Sequence, residues 1–121
     1  MIKFGLPCDG WLDLHIALNA NWATFSISDV GPNSVLQFFG ILSWLEDPQN
    51  TYIVHCNLEP ALLTLNFEVY NDCLIVEADL DISKIGQASM SVSDFNAMYG
   101  REIRALLPHC KGNAWTCEVN T

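Results

Sequence analysis

Two stretches near the start of the chain alternate between apolar and polar positions. They cover residues 11–18 and 22–28, and the turn-forming sequence Asn19-Ala20-Asn21 separates them. A period of two is typical of strands that bury one face and expose the other. The sequence therefore predicts an antiparallel hairpin with one apolar and one polar face.

A second alternating pair follows further along the chain. Residues 63–70 and 74–81 alternate on either side of Asn71-Asp72, which is a two-residue turn signal. The side that opposes the apolar positions is acidic. Residues 52–58 form a shorter apolar run that ends before Pro60, and we expect a strand there as well.

Two other segments carry apolar side chains at helical spacing. The first runs from about Ser34 to Glu46 and ends before Asp47-Pro48. The second begins at the capping sequence 91–94 and ends at Pro108. A last short strand is predicted at residues 115–119.

The predicted order is β-β-α-β-β-β-α. It indicates an α+β fold in which an antiparallel sheet of about five to six strands packs two helices on one face. A chain of 121 residues suits one hydrophobic core, so residues 1–121 are expected to form a single domain.

Charge narrows the classes of partner. Fourteen Asp and Glu against five Lys and Arg give a formal net charge of -9, which repels phosphate backbones and anionic lipids. We therefore expect neither nucleic acid nor a membrane as partner, and a basic protein is favoured instead. No signal peptide or membrane span is recognisable, which predicts a cytoplasmic protein.

The chemistry of the chain offers little for catalysis or for a cofactor. Five cysteines at irregular spacings predict free thiols, with Cys56 and Cys73 in the core. The pairs His55-Cys56 and His109-Cys110 are adjacent, which is poor spacing for a metal site. Asp13 could orient His15, but no nucleophile accompanies them. We expect no enzyme activity, no metal and no cofactor.

The polar face of the predicted sheet is the candidate binding surface. Exposed tryptophans beside carboxylates suit contact with a partner rich in Lys and Arg. The alternatives are a solvated face that maintains solubility, and tryptophans covered by a loop or by the C-terminal strand. The candidate partner-binding residues are Trp11, Asp13, His15, Trp22, Glu68, Glu77, Asp79 and Asp81.

In length, acidity, α+β organisation and lack of catalytic motifs, the chain resembles the small cytoplasmic immunity proteins of bacterial contact-dependent growth inhibition and related polymorphic toxin systems. The resemblance implies a toxin-neutralising protein that blocks the active site of a cognate toxin, often a basic nuclease. It carries over no individual residue. The alternative is a small oligomerising or scaffold subunit with an apolar interface. A monomer or weak homodimer is expected.

Overall fold

A computed structural model describes residues 1–31, 34–112 and 114–116. Within them, seven strands form one antiparallel sheet in chain order, which confirms the α+β class. The elements are β1 (Ile2–Phe4), β2 (Trp11–Leu18), β3 (Asn21–Ser28), α1 (Ser34–Leu45), β4 (Tyr52–Asn57), β5 (Leu62–Tyr70), β6 (Cys73–Leu80), β7 (Ser83–Ser91), α2 (Val92–Leu106), a 3₁₀ turn (Leu107–His109), β8 (Cys110–Lys111) and β9 (Ala114–Trp115).

The two predicted hairpins form as the alternation indicates. Asn19 and Ala20 connect β2 to β3 with φ values of 51° and 65°, and Asn71 and Asp72 connect β5 to β6 with φ values of 50° and 59°. Positive φ at both central positions is typical of the tight turns that match the twist of paired strands. The register of both hairpins follows directly from these turns.

The sheet is almost interrupted between β3 and β4. Among the described residues, these strands share one pair, Ser28 opposite Asn57. Helix α1 lies against the remaining edge of β4, where the Ser34 hydroxyl donates to the His55 carbonyl at 2.7 Å and the His55 amide donates to Gln37 Oε1 at 2.6 Å. We call β1–β3 the first half-sheet and β4–β7 the second half-sheet.

The two half-sheets also approach each other between the end of β2 and the outer strand β7. The Asn19 amide donates to the Gln87 carbonyl at 2.8 Å, which links the end of β2 to β7. The free edge of β1 is covered by α2, since Glu102 accepts a hydrogen bond from the Phe4 amide at 2.8 Å. The sheet therefore curls around the helices.

One hydrophobic core fills the inside of this curved sheet. Both helices contribute to it, with Phe38 and Ile41 from α1 and with Phe95 and Tyr99 from α2. The Tyr99 hydroxyl donates to the Phe38 carbonyl at 2.8 Å and so joins the two helices. Burial of this apolar surface is the main source of stability.

The structure corrects the predicted strand count and order. The sequence prediction missed β1 and β7, so the sheet has more strands than the five to six that were expected. Strand β1 has only three residues, and β7 contains Gly86 at a register shift beside Ala78 and Asp79. Neither segment shows the long apolar alternation on which the prediction relied.

The helices and the C-terminal segment agree more closely with prediction. Ser91 caps α2, since its hydroxyl accepts a hydrogen bond from the Asp94 amide. Near the C-terminus, Ala114–Trp115 pairs with Cys110–Lys111, and residues 117–119 of the predicted last strand lie outside the described residues. In the described part of the chain, neither helix has the length and apolar character needed to cross a membrane.

Candidate functional site

The outer face of the sheet, which points away from the core, carries seven of the eight predicted site residues. The exception is Asp81, which follows the end of β6 and lies in the β6–β7 turn with a φ of 54°. Its carboxylate accepts a hydrogen bond from the Leu62 amide at 3.1 Å. The predicted placement of Asp81 on the strand face was therefore wrong.

The near-interruption of the sheet divides these seven residues into two groups. Trp11, Asp13, His15 and Trp22 lie on the first half-sheet, and the remaining three lie on the second half-sheet. The residues of the second group are Glu68, Glu77 and Asp79. The sequence prediction treated all of them as one continuous surface, which the single pair between β3 and β4 does not provide.

Polar groups on the first half-sheet are partnered by their neighbours on the adjacent strand. Ser26 Oγ donates to Asp13 Oδ1 at 2.8 Å, and a hydrogen bond of the same length joins His15 Nδ1 to Thr24 Oγ1. These contacts follow from the register, which places each pair directly opposite. Asp13 thus does not orient His15, and the two side chains form separate contacts.

The tryptophans of the first half-sheet are exposed with respect to the part of the chain that the structure describes, and residues 117–119 of the predicted C-terminal strand lie outside that part. Trp11 is 39% and Trp22 is 55% accessible to solvent. The ammonium group of Lys3 lies 5.3 Å from the centre of the Trp22 ring, a distance typical of a cation–π contact. A cation of the protein itself already occupies one side of this tryptophan.

The carboxylates of the second half-sheet are mostly unneutralised. Glu77 pairs with Lys84 at 3.2 Å, which is the one ion pair within the described part of the chain. Both partners are substantially exposed, so this pair contributes little to stability. Glu68 and Asp79 have no hydrogen bond or ion pair from any described residue.

Cross-strand register brings these carboxylates together with apolar side chains. Ile53 lies opposite Asn66, and Asn66 lies opposite Glu77, so one row crosses three strands. We define the acidic patch as the outward-facing residues Ile53, His55, Thr64, Asn66, Glu68, Tyr70, Ile75, Glu77 and Asp79.

Sequence reasoning missed the two most exposed apolar residues of the acidic patch. Tyr70 is 70% and Ile53 is 45% accessible. Ile53 belongs to a short run of apolar residues in which the buried face could not be assigned. Tyr70 falls on the polar side of the alternation in β5, and that position could have indicated its exposure.

Two buried polar atoms in the acidic patch have no hydrogen-bond partner. They are Asn66 Oδ1 and His55 Nδ1. An unsatisfied buried acceptor costs about 1 to 3 kcal/mol of desolvation. Most buried polar atoms in folded proteins are paired, so two orphaned atoms on one surface are a feature that requires an explanation.

The cysteines differ in their environments. Cys56 is buried in the core, as predicted, and burial raises the pKa of its thiol to about 12. Cys73 was also expected in the core, but it lies half-buried on the outer face opposite Tyr70, so that prediction was wrong. Burial also raises the pKa of Cys110, to about 11. Cys117 lies outside the described residues.

Two clefts of several hundred Å³ lie away from the acidic patch. One of about 630 Å³ is bounded by the end of α1, the β5–β6 turn and the start of α2, and it contains Glu46 and Asp72. Another of about 430 Å³ separates Met1 and Asn19 from Gln87. Over the described residues, no three potential ligands among His, Cys, Asp and Glu group closely enough to hold a metal ion.

Fold and surface together define an α+β protein with an acidic, partly apolar sheet face. Comparisons of the chain with known protein families, with curated proteins and with solved structures find no significant match.

Proposed function

We propose that this protein binds a basic protein through the outer face of its sheet and thereby inhibits it, as a toxin-neutralising immunity protein does. The observation that carries the proposal is the unneutralised negative charge. The net charge is -9, and the described residues contain a single ion pair.

The negative electrostatic field around the protein determines which class of partner it attracts. It repels nucleic acid and anionic membranes, and it attracts a surface rich in Lys and Arg. Complementary charge accelerates association, which favours inhibition of a toxin before it damages the cell. The partner we propose is therefore a cognate basic toxin, with a nuclease domain as the best-fitting class.

Occupation of the toxin's active site by this protein would be sufficient for inhibition. A nuclease holds its substrate with cationic side chains, and carboxylates of the acidic patch would compete with phosphate groups for them. The resemblance in length, charge and fold class to immunity proteins supports this mechanism. The proposed activity requires no cofactor and no catalytic step, and it places the protein in the cytoplasm as a monomer or weak homodimer.

Co-expression with a panel of growth-arresting toxin domains tests the proposal. The panel should include basic nucleases, any toxin domain encoded in a neighbouring gene, and pore-forming toxins as controls. We expect protection against one basic toxin and formation of a complex that weakens as salt rises. Protection against none of them, or turnover of a substrate by the protein alone, would contradict the proposal.

A scaffold subunit makes a different prediction for the purified protein. Its apolar interface would hold a stable oligomer at micromolar concentration in the absence of any toxin. Light scattering coupled to size exclusion measures this mass directly. We expect the mass of a monomer, and a stable higher oligomer would favour the scaffold alternative.

A further inference from the structure

We infer that the docking site is the acidic patch of the second half-sheet alone, and that its occupant is a basic protein surface that presents arginine side chains. This inference rests on the proposed function, because it names the part of the sheet and the partner chemistry involved.

On the first half-sheet, the polar and charged side chains already have partners within the protein. Asp13 already accepts a hydrogen bond from Ser26, and His15 is bonded to Thr24. Lys3 lies over Trp22 and adds a positive charge beside these residues. A cationic partner would have to displace these internal contacts before it gained new ones.

The acidic patch concentrates more negative charge, and Lys84, which pairs with Glu77, compensates only part of it. Glu77 and Asp79 are two residues apart on β6 and point to the same face, and Glu68 is diagonal to Glu77 on β5. Diagonal positions in an antiparallel pair are about 7 to 8 Å apart, so the three carboxylates repel one another. A cation that approaches this group relieves the repulsion.

The remaining residues of the acidic patch favour arginine over lysine. Ile53 and Ile75 offer apolar surface for an aliphatic stem, and the exposed ring of Tyr70 offers a face on which a planar guanidinium can stack. A guanidinium also binds a carboxylate through two parallel hydrogen bonds.

The orphaned acceptors point to the same chemistry. Asn66 Oδ1 can only accept a hydrogen bond, and neutral His55 can accept one at Nδ1 when its proton is on Nε2. Arginine is a donor only and carries five N–H groups. Both atoms are buried in the free protein, so a partner reaches them after a neighbouring side chain rotates.

Titration of the 121-residue protein with hexaarginine, followed by amide chemical shifts at low salt, tests the inference without the toxin. We expect the largest shifts at residues of β4, β5 and β6, and weaker binding of hexalysine by about threefold. Each of Asp79→Lys and Glu68→Lys should weaken hexaarginine binding about fivefold. The matched control is Asp13→Lys, which makes the same charge change on the same outer face and should stay within twofold.

Shifts centred on β2 and β3, a larger loss from Asp13→Lys than from Asp79→Lys, or equal affinity for hexalysine would overturn the inference. Thermal unfolding checks that each variant is folded, and the neutral variants Glu68→Gln and Asp79→Asn replace any that is not. Since the toxin panel is a separate experiment, protection of cells combined with a failed titration would retain the proposed function and reject this site.

Discussion

Asn66 lies directly opposite Glu77 on the neighbouring strand, and its Oδ1 atom is buried without a hydrogen-bond partner. This unpaired acceptor lowers the stability of the free protein, and it also lies in the proposed interface. Substitution of Asn66 can therefore distinguish a structural role from a binding role. Removing it should affect folding and binding in opposite directions.

The first prediction concerns the substitution Asn66→Leu. Replacement of an unsatisfied buried amide by an apolar group of similar volume should leave the free energy of unfolding unchanged or raise it by about 1 kcal/mol. Binding of hexaarginine should weaken about threefold, because an acceptor is lost. Urea denaturation and titration measure both quantities. A destabilised variant with unchanged binding would assign Asn66 to the fold alone.

The second prediction tests the contact between the two helices. Tyr99→Phe removes the hydroxyl that donates to the Phe38 carbonyl, so we expect a loss of about 1 kcal/mol of unfolding free energy. Tyr70→Phe is the matched control, because Tyr70 is exposed, and it should change stability by less than about 0.5 kcal/mol. Urea denaturation compares the two variants. Equal effects would show that the buried hydroxyl contributes nothing specific.

The third prediction follows from the raised pKa of Cys56. Its thiol keeps its proton to about pH 12 in the folded protein, whereas the unfolded chain begins to lose that proton near pH 9. The contribution of this pKa shift to the free energy of unfolding is therefore fully present below pH 9. It declines as pH rises above 9, by about 1 kcal/mol per pH unit. Denaturation of the wild type and of Cys56→Ala between pH 8 and 10.5 measures this slope.

The variant should show the flatter pH dependence, whatever its absolute stability. Cys110 and Tyr99 also have raised pKa values and remain in both proteins, so only the difference in slope reports on Cys56. Identical slopes would mean that the Cys56 thiol is as accessible in the folded protein as in the unfolded chain.

Local patterns explain why much of the fold could be predicted. The hairpin turns at Asn19-Ala20 and Asn71-Asp72 and the cap at Ser91 are decided by nearby residues, and the sequence contains those residues. Strand β7 could not be predicted in this way, since Ser83–Ser91 has few apolar residues and its pairing with β6 shifts register beside Gly86.

The division of the predicted site residues between the two half-sheets could not be predicted from the sequence either. It depends on α1 lying against the edge of β4, where Gln37 and Ser34 take the hydrogen bonds that another strand would make. No periodicity within a strand records such an arrangement. The alternation of β6 did place Glu77 and Asp79 on the outer face, but it extended one residue too far and included Asp81.

The fourth prediction is tested by carboxyl footprinting of the complex with the toxin against which the protein protects cells. Carbodiimide labelling, read by mass spectrometry, reports the accessibility of each Asp and Glu with and without the toxin. If a basic partner docks on the acidic patch, labelling of Glu68, Glu77 and Asp79 falls at least severalfold, while Asp13 and the helix residue Asp94 label as before. Unchanged labelling of those three carboxylates in a saturated complex would contradict the account.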